Sequence, residues 1–306
     1  MPVNLSVIIP TYSPRREFTD LLLDLVQQET RFTFEIIVVD DATPKSDAAF
    51  IGQCIQKARN VSGKTTVALV RLSTNSGPAR ARNVGVTHSS SENFLFIDAD
   101  CFIPSKRVIE EALEVASEMP NMIIGGTVDG YGDGYIGFSD HYCHWITNLP
   151  GYDGFAPEPH LVSTNMLVSR KLWNLVGPFS EHLRSGEDVD LCFRATQLGI
   201  PLWLTDRIRI GHFDRTRITD YFLNYFFCGT YRPIFYGQYS KRRNYLTGGP
   251  RWLRILLIPL ITAGLTLRYL YRWAPIDKRV FLAIGGIMLA SFAMALGNAL
   301  GPPKST

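Results

Sequence analysis

The chain has 306 residues, enough for one large or two small domains. A net charge of +3 and 46% hydrophobic residues are ordinary values that argue against a nucleic-acid binder. Five scattered cysteines without zinc spacing suit a reducing compartment rather than a disulfide scaffold.

The N-terminus shows no basic-then-apolar leader, so the N-terminal part is expected to stay in the cytosol. Leu5 to Ile9 reads as a buried strand stopped by Pro10-Thr11-Tyr12. A helix opening near Pro14 follows, its stripe made by Phe18, Leu21, Leu22, Leu25 and Val26. Glu35 to Val39 is a second strand ending in Asp40-Asp41. Residues 46–60 read as helical and Val67 to Val70 as a third strand. Asn75-Ser-Gly77-Pro78 turns into another helix, with Pro78 at an early helical position. No Gly-x-Gly-x-x-Gly follows the first strand. Gly63-Lys64-Thr65 lacks the earlier glycine of a P-loop and reads as a surface loop.

Phe94 to Ile97 is an uninterrupted apolar run, as in a strand covered on both faces, and it ends in Asp98-Ala99-Asp100. Strand ends of open α/β sheets are where ligands bind. Alternate residues of an extended chain point the same way, so Asp98 and Asp100 can address one site. Two carboxylates so placed suit Mg²⁺ or Mn²⁺ beside substrate phosphates, or else a polar strand end before a turn. A helix from Pro104 to Glu118 and a strand starting at Met122 follow. Alternating strands and helices predict a mainly parallel sheet flanked by helices.

From Gly125 to Pro159 glycines interleave with Asp and Tyr, which reads as a mobile loop or a lid over substrate. Leu161 to Val168 resumes strand character, and Leu172 to Val176 is a short helix. Glu187-Asp188-Val-Asp190 then opens an apolar-periodic run. These carboxylates either favour a helix N-terminus or include a general base, and spacing does not choose among them. Pro201 to Leu204 is a strand. His212 lies beyond it, either structural or a metal ligand beside Asp100.

Tyr221 to Tyr239 is dense in aromatics and leads to Lys241-Arg-Arg243, a composition suited to a headgroup layer or to core packing. Leu253 to Leu267 is nearly apolar, and Val280 to Leu300 has no charge, near the ~20 residues that span a bilayer. If both cross, the basic 268–279 loop lies outside, against the positive-inside tendency. A shallow or re-entrant hairpin reconciles the two. The expected division is 1–215 catalytic, 216–252 aromatic and basic, and 253–306 membrane-associated.

Taken together, five ordered blocks resemble family 2 glycosyltransferases with a GT-A fold. They are Val7-Ile-Ile-Pro10-Thr11-Tyr12, Val38-Val-Asp40-Asp41-Ala-Thr, Asn75-Ser-Gly77-Pro-Ala-Arg80-Ala-Arg82-Asn83, Phe96-Ile-Asp98-Ala99-Asp100 and Gly186-Glu187-Asp188-Val-Asp190 through Arg194. The resemblance covers about residues 4–215. It implies inverting transfer of a sugar from a nucleotide-diphosphate donor, a UDP-sugar first among them, to a hydroxyl. Pro10, Thr11, Tyr12 and Asp40 would line the nucleoside pocket, with Asp40 accepting from the base. Asp41, Gly77, Arg82 and Ala99 would belong to the donor-binding set. Asp98 would face ribose or metal, Asp100 and His212 would hold Mn²⁺ or Mg²⁺, and Asp188, beside Glu187, would be the base. The glutamine of the processive members' Gln-x-x-Arg-Trp block is missing before Arg251-Trp252, which implies single-sugar addition. The tail implies a lipid-linked or membrane-proximal glycan acceptor and a catalytic domain on the inner face of the cell membrane. Two other classes fit parts of the pattern. A nucleotidyltransferase would need a basic glycine-rich loop after the first strand, which Pro10-Thr11-Tyr12 does not supply. A non-catalytic membrane scaffold would bind no nucleotide sugar.

Overall fold

A computed structural model describes residues 3–147, 149, 155–158, 160–239 and 250–301. The Lys241-Arg-Arg243 stretch lies outside them. The chain forms two compact units, 1–129 with 150–212, and 130–149 with 213–306. This differs from the expected boundaries: residues 130–149 leave the N-terminal part, and 216–252 is no unit of its own.

The first unit is built on a nine-stranded sheet. In chain order its elements are β1 (Leu5–Thr11), α1 (Phe18–Val26), β2 (Phe34–Asp40), α2 (Lys45–Val61), β3 (Thr66–Arg71), α3 (Pro78–His88), β4 (Asn93–Ile97), β5 (Cys101–Phe102), α4 (Val108–Glu118) and β6 (Ile123–Tyr131). After α5 (Gly134–His144), which belongs to the second unit, come β7 (Phe155–Pro157), β8 (Asn165–Ser169), α6 (Arg170–Val176), α7 (Glu187–Gln197) and β9 (Leu202–Phe213). The order is β3-β2-β1-β4-β8-β6-β9-β5, with β7 on β9. Strands β3, β2, β1 and β4 run parallel, as the alternating pattern predicts. β8 then reverses direction against β4.

Burial explains why these runs are strands. Ile8, Phe94, Phe96, Met166 and Val168 pack with Ala79 and Val86 of α3, with Trp173 and Phe179, and with Leu191 of α7. Their neighbours Val7, Ile9, Leu95 and Ile97 are also fully buried, so the central strands are covered on both faces. Phe96, Trp173 and Phe179 meet at ring centroids 5.2–5.6 Å apart, a distance that suits aromatic pairs.

The expected loop from Gly125 is mostly ordered as β6 and α5 instead. Its glycines serve packing. A Cβ on Gly126 would lie 2.1 Å from the Ile208 carbonyl oxygen and from Asn165 Nδ2. Asn165 instead donates to the carbonyls of Thr127 and Ile208.

The second unit holds α5, α8 (Ile218–Tyr239), α9 (Arg251–Leu256), α10 (Ile258–Trp273), a 3-10 segment (Lys278–Ala283) and α11 (Ile284–Leu300). The buried Asp140 of α5 explains why α5 belongs here. It accepts from Tyr225 Oη at 2.6 Å and from the Arg215 backbone and guanidinium at 2.9 and 3.2 Å. Tyr142 Oη donates to Asp277 at 2.8 Å. α8 and α11 approach closely: a Cβ on Gly229 would meet the Met294 carbonyl at 2.1 Å, and one on Gly297 the Phe226 carbonyl at 2.0 Å. Lys278–Leu300, 23 residues with mean hydropathy 2.2, is long and apolar enough to cross a bilayer.

Candidate active site

The carboxyl ends of the parallel strands carry the first group of residues. Register aligns Thr11 with Asp40 and Asp40 with Arg71, so the ends of β1, β2 and β3 lie side by side. Pro10 is partly covered, Thr11 is buried and Tyr12 is half-exposed just beyond the edge. Ser13 (φ 43°) and Ala42 (φ 61°), in the loops after β1 and β2, hold left-handed backbone, a strain that clusters at functional edges.

The two β2 aspartates are engaged within the protein. Asp40 is fully buried, accepting the Thr43 N–H at 2.9 Å on Oδ1 and Arg71 Nε at 2.6 Å on Oδ2. Each oxygen thus accepts one hydrogen bond within the protein and keeps a further lone pair. Asp41 accepts the N–H groups of Ser76 and Gly77, both at 2.7 Å. That grip fixes the loop leading into α3, where Gly77 takes φ 91°.

Arg82 on α3 is buried and bridges two carboxylates. Its Nη2 lies 2.5 Å from Asp98 Oδ1 and its Nη1 2.7 Å from Glu187 Oε1. The guanidinium carbon sits 5.7 Å from the centroid of the Phe179 ring. Asp98 Oδ2 accepts from Thr164 Oγ1 at 2.6 Å. The end of β4, the start of α7 and the residue before β8 are therefore tied through one cation.

Asp100, with a side chain 42% exposed, turns elsewhere. Its Oδ1 lies 3.3 Å from Nε2 of the buried His212. The cause is sheet register: β5 pairs with β9 so that Cys101 stands opposite His212, and Asp100 precedes Cys101. Among the described residues no three His, Cys, Asp or Glu side chains gather as a metal cluster. Asp98 faces Arg82 and Thr164, leaving Asp100 and His212 as the oxygen and imidazole pair. An oxygen and an imidazole of this kind suit Mn²⁺, and Asp100 and His212 would be the residues to hold it.

The acidic cluster of α7 separates into three roles. Glu187 is neutralised by Arg82. The buried Asp190 accepts from Ser180 Oγ at 2.5 Å and Arg194 Nε at 3.0 Å. Asp188 has no ion pair among the described residues and accepts backbone N–H groups from Val189 at 2.8 Å and Ser163 at 3.3 Å. Burial first and the neighbouring Glu187 charge second push its pKa up to about 7, against a smaller pull from Arg82. An acid with that pKa accepts a proton readily near neutrality.

The sequence reading missed Arg71 and Thr164. Neither belongs to a local motif, and their partners are 31 and 66 residues away in the chain.

The fold is that of the GT-A class. A mannosyltransferase from Pyrobaculum calidifontis, solved with GDP-Man and Mn²⁺, superposes with TM-score 0.61 at 14% identity, over 97% of this chain and 89% of that one. A 1–349 fragment of Staphylococcus aureus TarS in complex with UDP gives 0.52 at 18% identity, over 96% and 90%. The family model of glycosyl transferase family 2 matches residues 6–175, and the chain belongs to that family. An uncharacterized glycosyltransferase of Haemophilus influenzae is 30% identical over 209 residues, 63% of this chain and 62% of that protein. The poly(ribitol-phosphate) β-N-acetylglucosaminyltransferase TarS of S. aureus is 35% identical over 118 residues, 38% of this chain and 19% of that protein.

Proposed function

We propose that the first unit moves a sugar from a nucleoside-diphosphate donor to a hydroxyl with inversion, Asp188 acting as the base. The observation that carries this reading is the Arg82 bridge. One guanidinium holds Asp98, at the strand end where a donor binds, and Glu187, the neighbour of Asp188. A donor and an acceptor hydroxyl would then meet on either side of that bridge.

In the reaction, Asp188 takes the acceptor proton as the oxygen attacks the anomeric carbon. The bond from that carbon to the diphosphate oxygen breaks on the opposite side, and inversion follows from the single displacement. Asp100 and His212 would hold Mn²⁺ or Mg²⁺, and a cation there supplies charge neutralisation to the departing diphosphate. Arg82 pairs with Glu187, and the Glu187 carboxylate beside Asp188 adds to burial in keeping Asp188 basic.

The bound GDP-Man and UDP of the fold neighbours support a nucleotide-sugar donor, and a UDP-sugar remains the first to try. The departure at Arg251-Trp252 supports single addition, and the apolar tail supports a lipid-linked or membrane-proximal acceptor. The test is metal-dependent release of nucleoside diphosphate from a panel of nucleotide sugars. Activity should disappear in Asp188→Asn and in Asp100→Ala. Full activity in both variants would overturn the assignment, and release of pyrophosphate would replace it with nucleotidyl transfer.

A further inference from the structure

Unlike a water-soluble bundle, α9, α10 and α11 turn large apolar side chains outward. Outward on α9 and α10 stand Trp252, Leu256, Leu260, Leu267 and Tyr271, recurring at four- and seven-residue steps, the last 82% exposed. Outward on the 3-10 segment and α11 stand Phe281, Leu282 (70% exposed), Ile284, Met288 and Phe292. Inward lie Thr266, Ser291 (0%) and Asn298 (3%) among apolar Trp273, Val280 and Ile287. A continuous outer stripe of large apolar side chains marks a surface that meets apolar surroundings.

Charge identifies those surroundings. Arg251 and Arg268 are exposed within the same outward stripe, and Lys278 and Arg279 follow on the next turn. Asp277 is the one acidic residue after Asp220, and it is paired with Tyr142 and Arg279. A cationic rim around an apolar stripe complements anionic phospholipid headgroups over acyl chains.

Length fixes the depth. The outward apolar side of the last helical stretch runs from Phe281 to Phe292, roughly 18 Å at about 1.5 Å per residue. Past Phe292 the helix is mostly enclosed by the protein until Leu300. A hydrocarbon core is ~30 Å thick. Arg268, between Leu267 and Tyr271 on the outer surface, would be costly at the bilayer centre and sits readily at headgroup depth.

We propose that this face of the second unit seats in one leaflet of an anionic bilayer, with α10 lying in the interface rather than crossing. The claim does not depend on the sugar-transfer reading, because binding is measured without turnover. The full chain, released from detergent, is floated with phosphatidylcholine vesicles and with vesicles carrying phosphatidylglycerol. Capture should rise severalfold with phosphatidylglycerol and fall severalfold in Leu256→Asp/Leu267→Asp, two exposed positions, with an unchanged thermal melt. Lipids brominated near the headgroup should quench Trp252, the most exposed tryptophan, more than lipids brominated at the chain ends, and Trp252→Phe should remove that difference. Stronger quenching from the chain ends would overturn the one-leaflet seating. No flotation, a detergent-free dimer that buries the stripe, or undiminished capture of the double variant would overturn the lipid as its occupant. Asp188→Asn should float like the parent even if the catalytic assignment fails.

Discussion

The Arg82 guanidinium touches Asp98 at 2.5 Å, within a site where it also neutralises a second carboxylate. Removing it by Arg82→Met strands Asp98 and Glu187 as uncompensated charges. A buried pair broken on one side costs about 3–5 kcal/mol. Chemical denaturation should show a loss of that size. The double variant Arg82→Met/Glu187→Gln should recover part of it, whereas additive losses would mean the bridge is no coupled unit.

Asp188 sets the pH dependence. Its folded pKa of about 7 lies above its ordinary carboxylate value, so the charged form is disfavoured in the folded protein. Activity should climb as pH rises through about 7, and Asp188→Asn should abolish the climb with a loss of roughly 10²–10⁴-fold. Stability runs the other way. The parent bears the cost of a desolvated charge above pH 7 and sheds it progressively as pH falls from 7 toward the ordinary carboxylate value of about 4. Asp188→Asn should therefore melt higher than the parent at pH 8, with the gap narrower at pH 5 and closing only below about pH 4. A gap independent of pH would count against this titration.

His212 bears on metal affinity. Losing one of two side-chain ligands should weaken Mn²⁺ binding by roughly tenfold or more, on the scale seen when metal-site partners are removed. Free Mn²⁺ measured by electron paramagnetic resonance during titration of His212→Ala reads this directly, without donor or acceptor. Equal affinity in parent and variant would remove His212 from the ligand set.

Asp41 makes a different prediction. Two backbone N–H groups depend on its carboxylate, and hydrogen bonds to a charged group contribute about 1.5–3 kcal/mol each. Asp41→Ala should cost about 3–6 kcal/mol and raise hydrogen exchange at Ser76 and Gly77. Unaltered exchange there would show the loop to be held by other means.

Much of the first unit was legible in the chain. Runs such as Phe94 to Ile97, short and apolar at every position, suit strands covered on both sides, and the observed β1, β2 and β4 follow that rule, whereas β3 is only partly covered. β6 and α5 were not legible, because glycines chosen for close approach look in sequence like glycines chosen for mobility. β5 spans two residues, too few for any periodicity. Within the site, the acidic cluster of α7 was visible but its division of labour was not. What separates Glu187, Asp188 and Asp190 is which cation each one meets, and Arg82 is 105 residues away from its Glu187 partner. The outward stripe of α10 was visible only as an apolar segment, since composition does not tell which side of a helix packs inward.

The pairing of Cys101 with His212 carries a consequence for how this protein tolerates change. Side chains along β9 alternate between the two faces of the sheet. One residue inserted between Leu204, which β7 holds in place, and His212 would swing the imidazole through the sheet and away from Asp100. Such an insertion would leave both residues in the gene but break the Asp100–His212 contact. Length variation in functional variants should therefore fall outside that stretch of β9.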